Sequence, residues 1–510
     1  MKNTQSRLAA HHFSNSNLSW TSFTLEEHYQ LHEMLIFLTT LIDSFLLFRP
    51  SFSEREGLYL RKMSIPAGWL FDNKVRIPLY KNRVIALGRL PLEQNNRRIE
   101  RIQINNSRVS ATHCYIWHIQ FDSNTNSICY IKDVSRNGTL IGGKKMGKGN
   151  FSILRNNDVI SLCGGVHFQY LANTEAQVVE VGKPSSIKDW VILSDIIGVG
   201  TFGKVQISFH RKDIAKKFYA VKTVQYRKDD RKTRVEHYIL STVNHINIIK
   251  IEESIIDFKN GVLKMFQELA IGGDLFSYLS QDGDVLQGLN ESEAVFALYQ
   301  VCSGLYYLHS KGIVHRDLKL DNILIMGAPL VYPHLAIADF GIAKEIPVVA
   351  TPTNKGRFYM KTMVGTAEYA APEIDLGANI VRKKKMGNRK PKFIDDFFFE
   401  NSGGNKSAYY TEKVDSWSLG VVGHILFSGV SPFYSTTVEE IINKSKLGKI
   451  DLGTSKWKDV SPISKIFIQS CLQVDSSRRS SISECLNNAI FTSGGRKELM
   501  QRLLREAIHR

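Results

Sequence analysis

The sequence predicts a multidomain chain in which an all-β sandwich precedes an α+β module. Residues 67–175 hold short runs rich in Val, Ile, Tyr and Phe, which alternate with turn pairs such as Asn137-Gly138. Several short strands at this spacing are typical of a sandwich. Between residues 190 and 504, strand-like runs come first and helical periodicity follows, which is the α+β pattern. Residues 176–189 are predicted to form a short linker.

The composition is that of a globular protein with a basic surface. Apolar residues make up 43% of the 510 residues and charged residues 23%, which excludes a mainly disordered or fibrous chain. The net charge of +17 favours an anionic partner such as phosphate or nucleic acid, although a solvated basic surface is the commoner outcome. The six cysteines include no CxxC pair, so we expect reduced thiols in a cytosolic or nuclear protein, with neither a zinc site nor a disulfide scaffold.

Residues 1–65 form an N-terminal extension of unknown role. Within it, residues 34–48 hold eleven apolar residues in fifteen, together with Asp43. A bilayer span needs about 20 mainly apolar residues, so a buried or partner-binding helix is favoured over a membrane span. A third interpretation is that translation begins at Met63.

A glycine-rich run opens the α+β module and predicts a phosphate-binding loop. Glycine backbone can approach phosphate oxygens without a side-chain clash. Lys222 follows Ala220 on the next strand-like run and can reach the phosphates, and Glu236, in the helical stretch after it, can pair with Lys222. The run, IGVGTFGKV, contributes Ile197, Gly198, Gly200, Gly203 and Val205.

A second run, HRDLKLDN at residues 315–322, contains Asp317, Lys319 and Asn322. Asp339, the first residue of a DFG run, follows 22 residues after Asp317. Downstream, an APE run ends at Glu373, which Arg479 can pair with.

These motifs, in this order and spacing, resemble those of the eukaryotic protein kinases. The resemblance implies a bilobal kinase fold, with ATP and Mg²⁺ as cofactors. It implies that Asp317 supplies a base-like carboxylate near the acceptor hydroxyl and that Lys319 helps to neutralise phosphate charge. It also implies that Asn322 and Asp339 supply oxygen ligands for Mg²⁺. Lys319, two residues after Asp317, is the form found in serine/threonine kinases. The resemblance places Gln267 at the gate of the adenine pocket, a departure from the usual Met, Leu, Phe or Thr. It places the remaining nucleotide contacts at Glu268, Ala270 and Asp274.

By the same resemblance, two carboxylates face the protein substrate. Asp274 and Asp321 favour Arg upstream of the acceptor Ser or Thr; the alternative is that both only cap or solvate helices. Thr362 is the expected phosphorylation switch, because Arg316 beside the catalytic Asp can pair with a phosphate there. Thr366 is expected to position the substrate while contacting Asp317 and Lys319.

Residues 374–412 form an insertion relative to a typical kinase. Within it, residues 382–392 hold seven basic residues and no acidic one. We interpret this run as a nuclear-import signal, which implies a nuclear protein, with a solvated loop as the main alternative. Direct nucleic-acid binding is not expected, because no aromatic residues interleave the charges.

The β module resembles a forkhead-associated domain, a class that binds phosphothreonine peptides. The resemblance rests on Gly88-Arg89, on the Ser110 to His113 pattern SxxH, and on Asn137-Gly138. A phosphate needs a guanidinium, a hydroxyl and amide donors that converge from adjacent loops. Arg89, Ser110 and Asn137 can supply them, and His113 is expected to brace the Ser110 loop.

The two modules together resemble the checkpoint-kinase-2 family, and within it the meiosis-specific checkpoint kinases of budding yeast. The residues that carry this are HRDLKLDN, ADFGIAK (338–344), the run at 272–279, Gln267 and the insertion. The resemblance implies a role downstream of meiotic double-strand breaks, in interhomolog repair bias and pachytene arrest. It also implies a phosphorylated chromosome-axis protein as partner and self-association for trans-autophosphorylation. The alternatives are a mitotic DNA-damage kinase of the same plan and a phosphopeptide-binding scaffold whose kinase fold is idle.

Overall fold

The computed structural model covers the β module and most of the α+β module, both of which belong to one compact unit, residues 64–510. The apolar run 34–48, Thr362 and the basic run 382–392 lie outside the described residues. The residues described are 65–72, 75–91, 99–121, 125–173, 184–200, 203–213, 217–226, 231–280, 285–345, 366–374 and 411–509.

The β module is a sandwich of two sheets. Its strands are β1 (Gly68–Asp72), β2 (Val75–Leu79), β3 (Val84–Gly88), β4 (Ile99–Gln103), β5 (Cys114–Ile119), β6 (Ile128–Asp133), β7 (Leu140–Ile141), β8 (Lys144–Lys145), β9 (Phe151–Leu154), β10 (Val159–Leu162) and β11 (Val166–Ala172). One sheet has the order β2-β1-β11-β10-β7-β8 and the other β4-β3-β5-β6-β9. Side chains from both sheets meet in one core, including Leu70 and Phe168 from the first and Ile116 and Ile131 from the second.

Strands β5 and β6 are apolar on both faces. Because successive side chains of a strand point to opposite faces, Cys114 and Ile116 enter the sandwich core while Trp117 and Ile119 face outward. These outward side chains are nevertheless buried, within a second cluster that includes residues of the α+β module. The sheet β4-β3-β5-β6-β9 is therefore covered on both sides.

The α+β module opens with a six-stranded antiparallel sheet of order β12-β13-β14-β15-β17-β16. The strands are β12 (Ser185–Ile187), β13 (Trp190–Gly200), β14 (Gly203–His210), β15 (Phe218–Gln225), β16 (Ile251–Asp257) and β17 (Val262–Glu268), and helix α1 (Arg231–Thr242) lies against β16. Strand β12 falls inside the segment predicted as a linker and pairs with β13, so the sheet begins at Ser185.

The second lobe is mainly helical. Its helices are α2 (Leu275–Leu279), α3 (Glu291–Ser310), α4 (Lys413–Ser428), α5 (Val438–Leu447), α6 (Pro462–Cys471), α7 (Ile482–Leu486), α8 (Ala489–Thr492) and α9 (Arg496–His509), and its short strands are β18 (Ile313–Val314), β19 (Ile323–Ile325), β20 (Leu335–Ile337) and β21 (Lys344–Glu345). Asn290 caps α3 by accepting a bond from the Glu293 amide, the usual N-cap role of Asn. Helix α4 is buried along nearly its whole length. The predicted sandwich followed by a bilobal α+β module is confirmed.

Two of the composition-based expectations concern thiols and membranes. All six cysteines are free, and five are buried, with Cys163 half-buried. Within the part of the chain that the structure describes, none of the helices has the length and apolar character needed to span a bilayer.

Candidate active site and phosphopeptide pocket

Lys222 lies at the centre of an ion-paired cluster between the two lobes. Its Nζ is 2.6 Å from Oε1 of Glu236 on α1 and 3.2 Å from Oδ1 of Asp339. Burial alone would lower the pKa of Lys222, but the two carboxylates raise it, so the ammonium stays charged. Burial would raise the pKa of Asp339, but Lys222 holds it below its usual range. The cluster therefore keeps one cation and a carboxylate ionised at the cleft.

The predicted base, Asp317, lies in a loop whose side chains converge on its carboxylate. Thr366 donates to Asp317 Oδ1 through its hydroxyl at 2.9 Å and its amide at 3.1 Å. Asn322 Nδ2 donates to the Asp317 carbonyl oxygen at 2.8 Å and to Oδ2 at 3.2 Å. Lys319 Nζ is 3.8 Å from Oδ2. The predicted base Asp317 thus contacts three other predicted site residues directly. These are the metal ligand Asn322, the phosphate contact Lys319 and the positioning residue Thr366.

Asp415 on α4 anchors this loop, a role that the sequence analysis missed. Its buried carboxylate accepts bonds from the amides of His315 at 2.9 Å and Arg316 at 2.8 Å, and contacts Nε2 of His309 at 2.8 Å. Arg316 has φ +68°, a conformation that costs energy in a non-glycine residue. The bonds to Asp415 hold that strained backbone. The sequence signal was an Asp at the start of an otherwise apolar helix.

The DFG segment has the geometry needed to present Asp339 to the cleft. Asp339 adopts φ +63°, and Phe340, fully buried, packs edge-on against His315 with ring centroids 5.1 Å apart. The Phe340 contact ties the segment to the catalytic loop. The Asp339 carboxylate and the Asn322 side chain form a donor set of oxygen ligands that suits a hard cation such as Mg²⁺.

The predicted nucleotide contacts lie along β13, β14, β15 and the end of β17. Lys222 pairs in register with Val205, and Ala220 with Gln267. Glu268 ends β17, and the segment after it, including the buried Ala270, connects the two lobes. Ile197, Gly198, Gly200 and Gly203 all belong to the hairpin β13–β14; residues 201–202, at its tip, lie outside the described residues.

Of the two predicted substrate-facing carboxylates, one is buried and the other exposed. Asp274 is 7% exposed and caps α2, accepting bonds from the Ser277 amide at 2.7 Å and hydroxyl at 3.0 Å. Burial raises the pKa of Asp274 to about 6 despite these bonds. Asp321 is exposed. The capping alternative therefore describes what Asp274 does in this structure, while Asp321 is open to a substrate.

Glu373 and Arg479 form a buried bidentate pair. Arg479 Nη1 is 2.7 Å from Oε1 of Glu373 and Nη2 is 2.9 Å from Oε2. The Arg479 side chain is fully buried, and its guanidinium also donates to the carbonyl oxygens of Gln473 and Lys413. This pair fixes the end of the substrate-binding segment to the helical lobe.

Three loops at one end of the β sandwich bring the predicted phosphate ligands together. The Arg89 amide donates to the carbonyl of Ser110 at 2.9 Å. The Ser110 hydroxyl accepts from the Arg136 amide at 3.0 Å, and Asn137 Nδ2 donates to the Arg108 carbonyl at 3.0 Å. Arg108 and Arg136 are exposed and were not singled out from the sequence, although both stand in the motif loops. The pocket therefore has a basic rim.

His113 holds two of these loops together. The Ser110 amide donates to Nδ1 of His113 at 3.2 Å, and Nε2 is 3.2 Å from the Gly138 carbonyl. Because an amide can only donate, Nε2 carries the proton and donates to Gly138. Burial lowers the pKa of His113, which favours this neutral form. Gly88 allows the close approach of strand and loop, since a Cβ there would lie 2.1 Å from the Ala111 carbonyl.

Comparison with known families gives two matches that cover both modules. The model described as "Protein kinase domain" matches residues 192–387 and 400–491, and that described as "FHA domain" matches residues 85–163. The chain belongs to the protein kinase family. More narrowly, it belongs with the serine/threonine kinases that carry a forkhead-associated domain. This kinase therefore uses ATP to phosphorylate serine or threonine in proteins, and its β module is a forkhead-associated domain.

Several characterised proteins resemble this kinase over both domains. It is 34% identical over 433 residues to the meiosis-specific serine/threonine-protein kinase MEK1 of Saccharomyces cerevisiae, covering 80% of each chain. It is 30% identical over 388 residues to the meiosis-specific kinase mek1 of Schizosaccharomyces pombe, covering 75% of this chain and 77% of the relative. The crystal structure of Rad53 residues 1–466 in complex with AMP-PNP shares 25% identity, covers 87% of this chain and 96% of that chain, and has a TM-score of 0.44.

Proposed function

We propose that this kinase acts in the meiotic recombination checkpoint, where it responds to DNA double-strand breaks, biases repair toward the homologous chromosome and restrains exit from pachytene. The observation that carries the proposal is its similarity, across both domains, to two kinases named as meiosis-specific. The mitotic DNA-damage role remains the second candidate, supported by the similarity to Rad53 kinase of Saccharomyces cerevisiae, which is 28% identical over 412 residues.

The proposed division of labour at the active site follows from the contacts described above. Lys222, held by Glu236, binds the α- and β-phosphates of ATP. Asp317 accepts a bond from the acceptor hydroxyl and orients it, and Lys319 stabilises negative charge on the transferred phosphoryl group. Transfer is mostly positioning and charge neutralisation, so the bonds from Thr366 and Asn322 to Asp317 matter because they fix the direction of that carboxylate.

We propose that Asn322 and Asp339 hold Mg²⁺. One carboxylate and one amide oxygen at the mouth of the cleft fit the ion, which keeps several of its own waters and takes few protein ligands. When bound, the ion neutralises phosphate charge. Lys222 contributes the second cation on that side of the cleft, with its Nζ 3.2 Å from Asp339 Oδ1.

Substrates are proposed to carry Arg upstream of the acceptor residue. The exposed carboxylate of Asp321 and, deeper in the fold, that of Asp274 give this side of the cleft a negative charge. An Arg side chain can replace the Ser277 hydroxyl as a partner of Asp274. Peptides with Ala in place of the upstream Arg should be phosphorylated less efficiently.

Recruitment is proposed to run through the phosphate pocket formed by Arg89, Ser110 and Asn137. A phosphothreonine on the partner, a chromosome-axis protein by resemblance, would tether several copies of the kinase side by side. Tethering can raise the local concentration to about the millimolar range, so one copy phosphorylates Thr362 of another. The new phosphate pairs with Arg316 and orders the loop that carries it.

The proximity model is tested with Arg89→Ala in cells, with and without a fused dimeriser. We expect Arg89→Ala to lose phosphate at Thr362 and the dimeriser to restore it. If the dimeriser fails to restore the signal, the forkhead-associated domain does not act through proximity.

Nuclear action is proposed for the kinase, with residues 382–392 as the import signal. Replacing the seven basic residues of this run with Gln should leave a tagged kinase in the cytoplasm. Persistence in the nucleus would assign the run to a solvated loop.

The meiotic role is tested by comparing cells that carry only the Asp317→Ala kinase in meiosis and in vegetative growth. We expect lost pachytene restraint and reduced interhomolog repair, with normal survival of vegetative cells after DNA damage. Damage sensitivity in vegetative cells together with normal meiosis would favour the mitotic alternative.

A further inference from the structure

The outer face of the forkhead-associated sheet carries a row of four side chains that are buried against the kinase domain. Val84 pairs in register with Trp117, Trp117 with Tyr130, and Tyr130 with Ile153, so the row crosses β3, β5, β6 and β9. All four side chains are at most 6% exposed. They belong to one apolar cluster with residues of the kinase domain. We call this set the hinge-facing row.

The hinge-facing row lies against the segment that connects the kinase lobes. The indole Nε1 of Trp117 donates to the main-chain carbonyl of Ile271 at 2.8 Å. The side chains of Leu269 and Ile271 are 6% and 2% exposed and belong to the same cluster. Ile119, at the end of β5, lies so near the connection that a Cβ on Gly273 would be 3.2 Å from it.

A polar contact joins the same two domains beside this cluster. Arg155 forms a bidentate pair with Asp195, with Nη1–Oδ1 at 2.6 Å and Nη2–Oδ2 at 2.8 Å. Asp195 lies on β13, two residues before Ile197, a predicted nucleotide contact. The forkhead-associated domain therefore contacts the kinase at the lobe connection and at the strand that leads into the glycine-rich loop.

We propose that the forkhead-associated domain braces the nucleotide hinge and that Trp117 is a positioning residue for ATP binding. The inference rests on the proposed function, in which residues 268–270, at the start of the connection between the lobes, form the hinge that meets adenine. Hinge amides and carbonyls must hold fixed positions to bond a planar base. The Trp117 bond fixes the carbonyl immediately after Ala270, and the hinge-facing row keeps Leu269 and Ile271 out of water. Loss of the brace lowers nucleotide affinity and leaves the transfer step unchanged at saturating ATP.

The brace and the phosphate pocket use different parts of the same strands. Arg89 follows β3 and Ser110 precedes β5, whereas Trp117 lies three residues into β5, about 10 Å from its start at about 3.3 Å per residue. The Trp117 contact thus leaves the phosphate loops uncovered. Phosphopeptide affinity should be the same with and without the brace.

The first test compares Trp117→Phe with Tyr130→Phe in the full chain. Trp117→Phe keeps an aromatic ring and removes the N–H. Tyr130→Phe changes the neighbouring ring of the same row, whose hydroxyl has no hydrogen-bond partner among the described residues. We expect Trp117→Phe to raise KM for ATP and Kd for AMP-PNP about three- to tenfold, the scale of one hydrogen bond. Its kcat and phosphopeptide affinity should stay within about twofold, and Tyr130→Phe should change none of these.

A second test changes the partly exposed ion pair between Arg155 and Asp195 and leaves the buried side chains of the hinge-facing row intact. Arg155→Asp should weaken AMP-PNP binding, and adding Asp195→Arg in the same chain should restore it, because the exchanged pair keeps the same geometry of opposite charges. Calorimetry on these variants in an Asp317→Ala background reads nucleotide affinity in a chain that transfers no phosphate. The brace is therefore judged separately from the proposed catalytic roles.

The brace is overturned if Trp117→Phe binds AMP-PNP as tightly as the unmodified chain, or if Tyr130→Phe weakens binding equally. It is also overturned if the charge-swapped chain binds no more tightly than Arg155→Asp. A fall in kcat without a change in KM would assign Trp117 to overall stability and contradict a role at the hinge.

Discussion

Replacing Asp415 with Asn should damage both the stability of the kinase domain and its catalytic loop. The buried carboxylate accepts bonds from two loop amides and contacts His309, each within 2.9 Å. An Asn side chain has one oxygen, so at least one buried donor loses its acceptor. Hydrogen bonds to charged groups contribute about 1.5–3 kcal/mol each, and an unpaired buried donor costs about 1–3 kcal/mol. We therefore expect a loss of about 3–5 kcal/mol in the free energy of unfolding.

Function should fall together with stability, because the same bonds hold Arg316 in its strained conformation beside Asp317. We expect Asp415→Asn to lower kcat at least about tenfold. KM for ATP should be nearly unchanged, because the bonds of Asp415 go to His309, His315 and Arg316 rather than to a predicted nucleotide contact. Urea denaturation and steady-state kinetics at pH 7 provide the readouts. The matched control is Asp475→Asn, at an exposed carboxylate that accepts bonds from the amide and hydroxyl of Ser477. The reasoning is refuted if Asp415→Asn loses less than about 1 kcal/mol or no more than the control.

Three further predictions concern separate parts of the site. Glu373→Ala leaves the buried Arg479 without its carboxylate and should cost about 3–5 kcal/mol in urea denaturation; a loss below about 1 kcal/mol would contradict a buried pair. Gln267→Gly should make the kinase sensitive to bulky ATP-site inhibitors, and equal inhibition of wild type and variant would remove Gln267 from the gate. Because burial raises the pKa of Asp274 to about 6, this carboxylate gains a proton as the pH falls below 6. The preference for a peptide with upstream Arg over its Ala counterpart should then shrink between pH 7 and 5.5, and an unchanged ratio would exclude Asp274 from substrate recognition.

The kinase module could be predicted from the sequence because its chemistry requires short motifs of fixed residue type. Phosphate binding, base and metal ligands require fixed residue types on a short loop, so the run at 315–322 was enough to predict which residues take these roles. The same holds for strands β5 and β6, which lie within the strand-like sequence runs CYIWHIQF (114–121) and ICYIKDV (128–134). Local sequence pattern was therefore enough to predict strands whose burial is set within one segment.

Contacts between distant segments could be predicted only where both partners stand in recognised motifs, as Glu373 and Arg479 do. The nearly continuous apolar run of β5 indicates that both faces are buried, but not that Trp117 donates to Ile271, 154 residues away. The two bonds that the catalytic-loop amides donate to Asp415 join residues about a hundred positions apart. Strand β12 was missed because a three-residue strand becomes stable only through its pairing with β13.

Phosphate transfer by the purified full chain tests the central claim most directly. Radiolabelled ATP and a peptide with an Arg-x-x-Thr sequence are incubated with the unmodified kinase, with Lys222→Arg and with Asp317→Ala, and the labelled residue is identified. Arg does not substitute for the point charge of Lys222, and such groups are worth orders of magnitude in rate. We predict phosphothreonine with the unmodified chain and less than about one per cent of that rate with either variant. Transfer above that level in either variant, or an unmodified chain that transfers no phosphate to the peptide, would contradict the account.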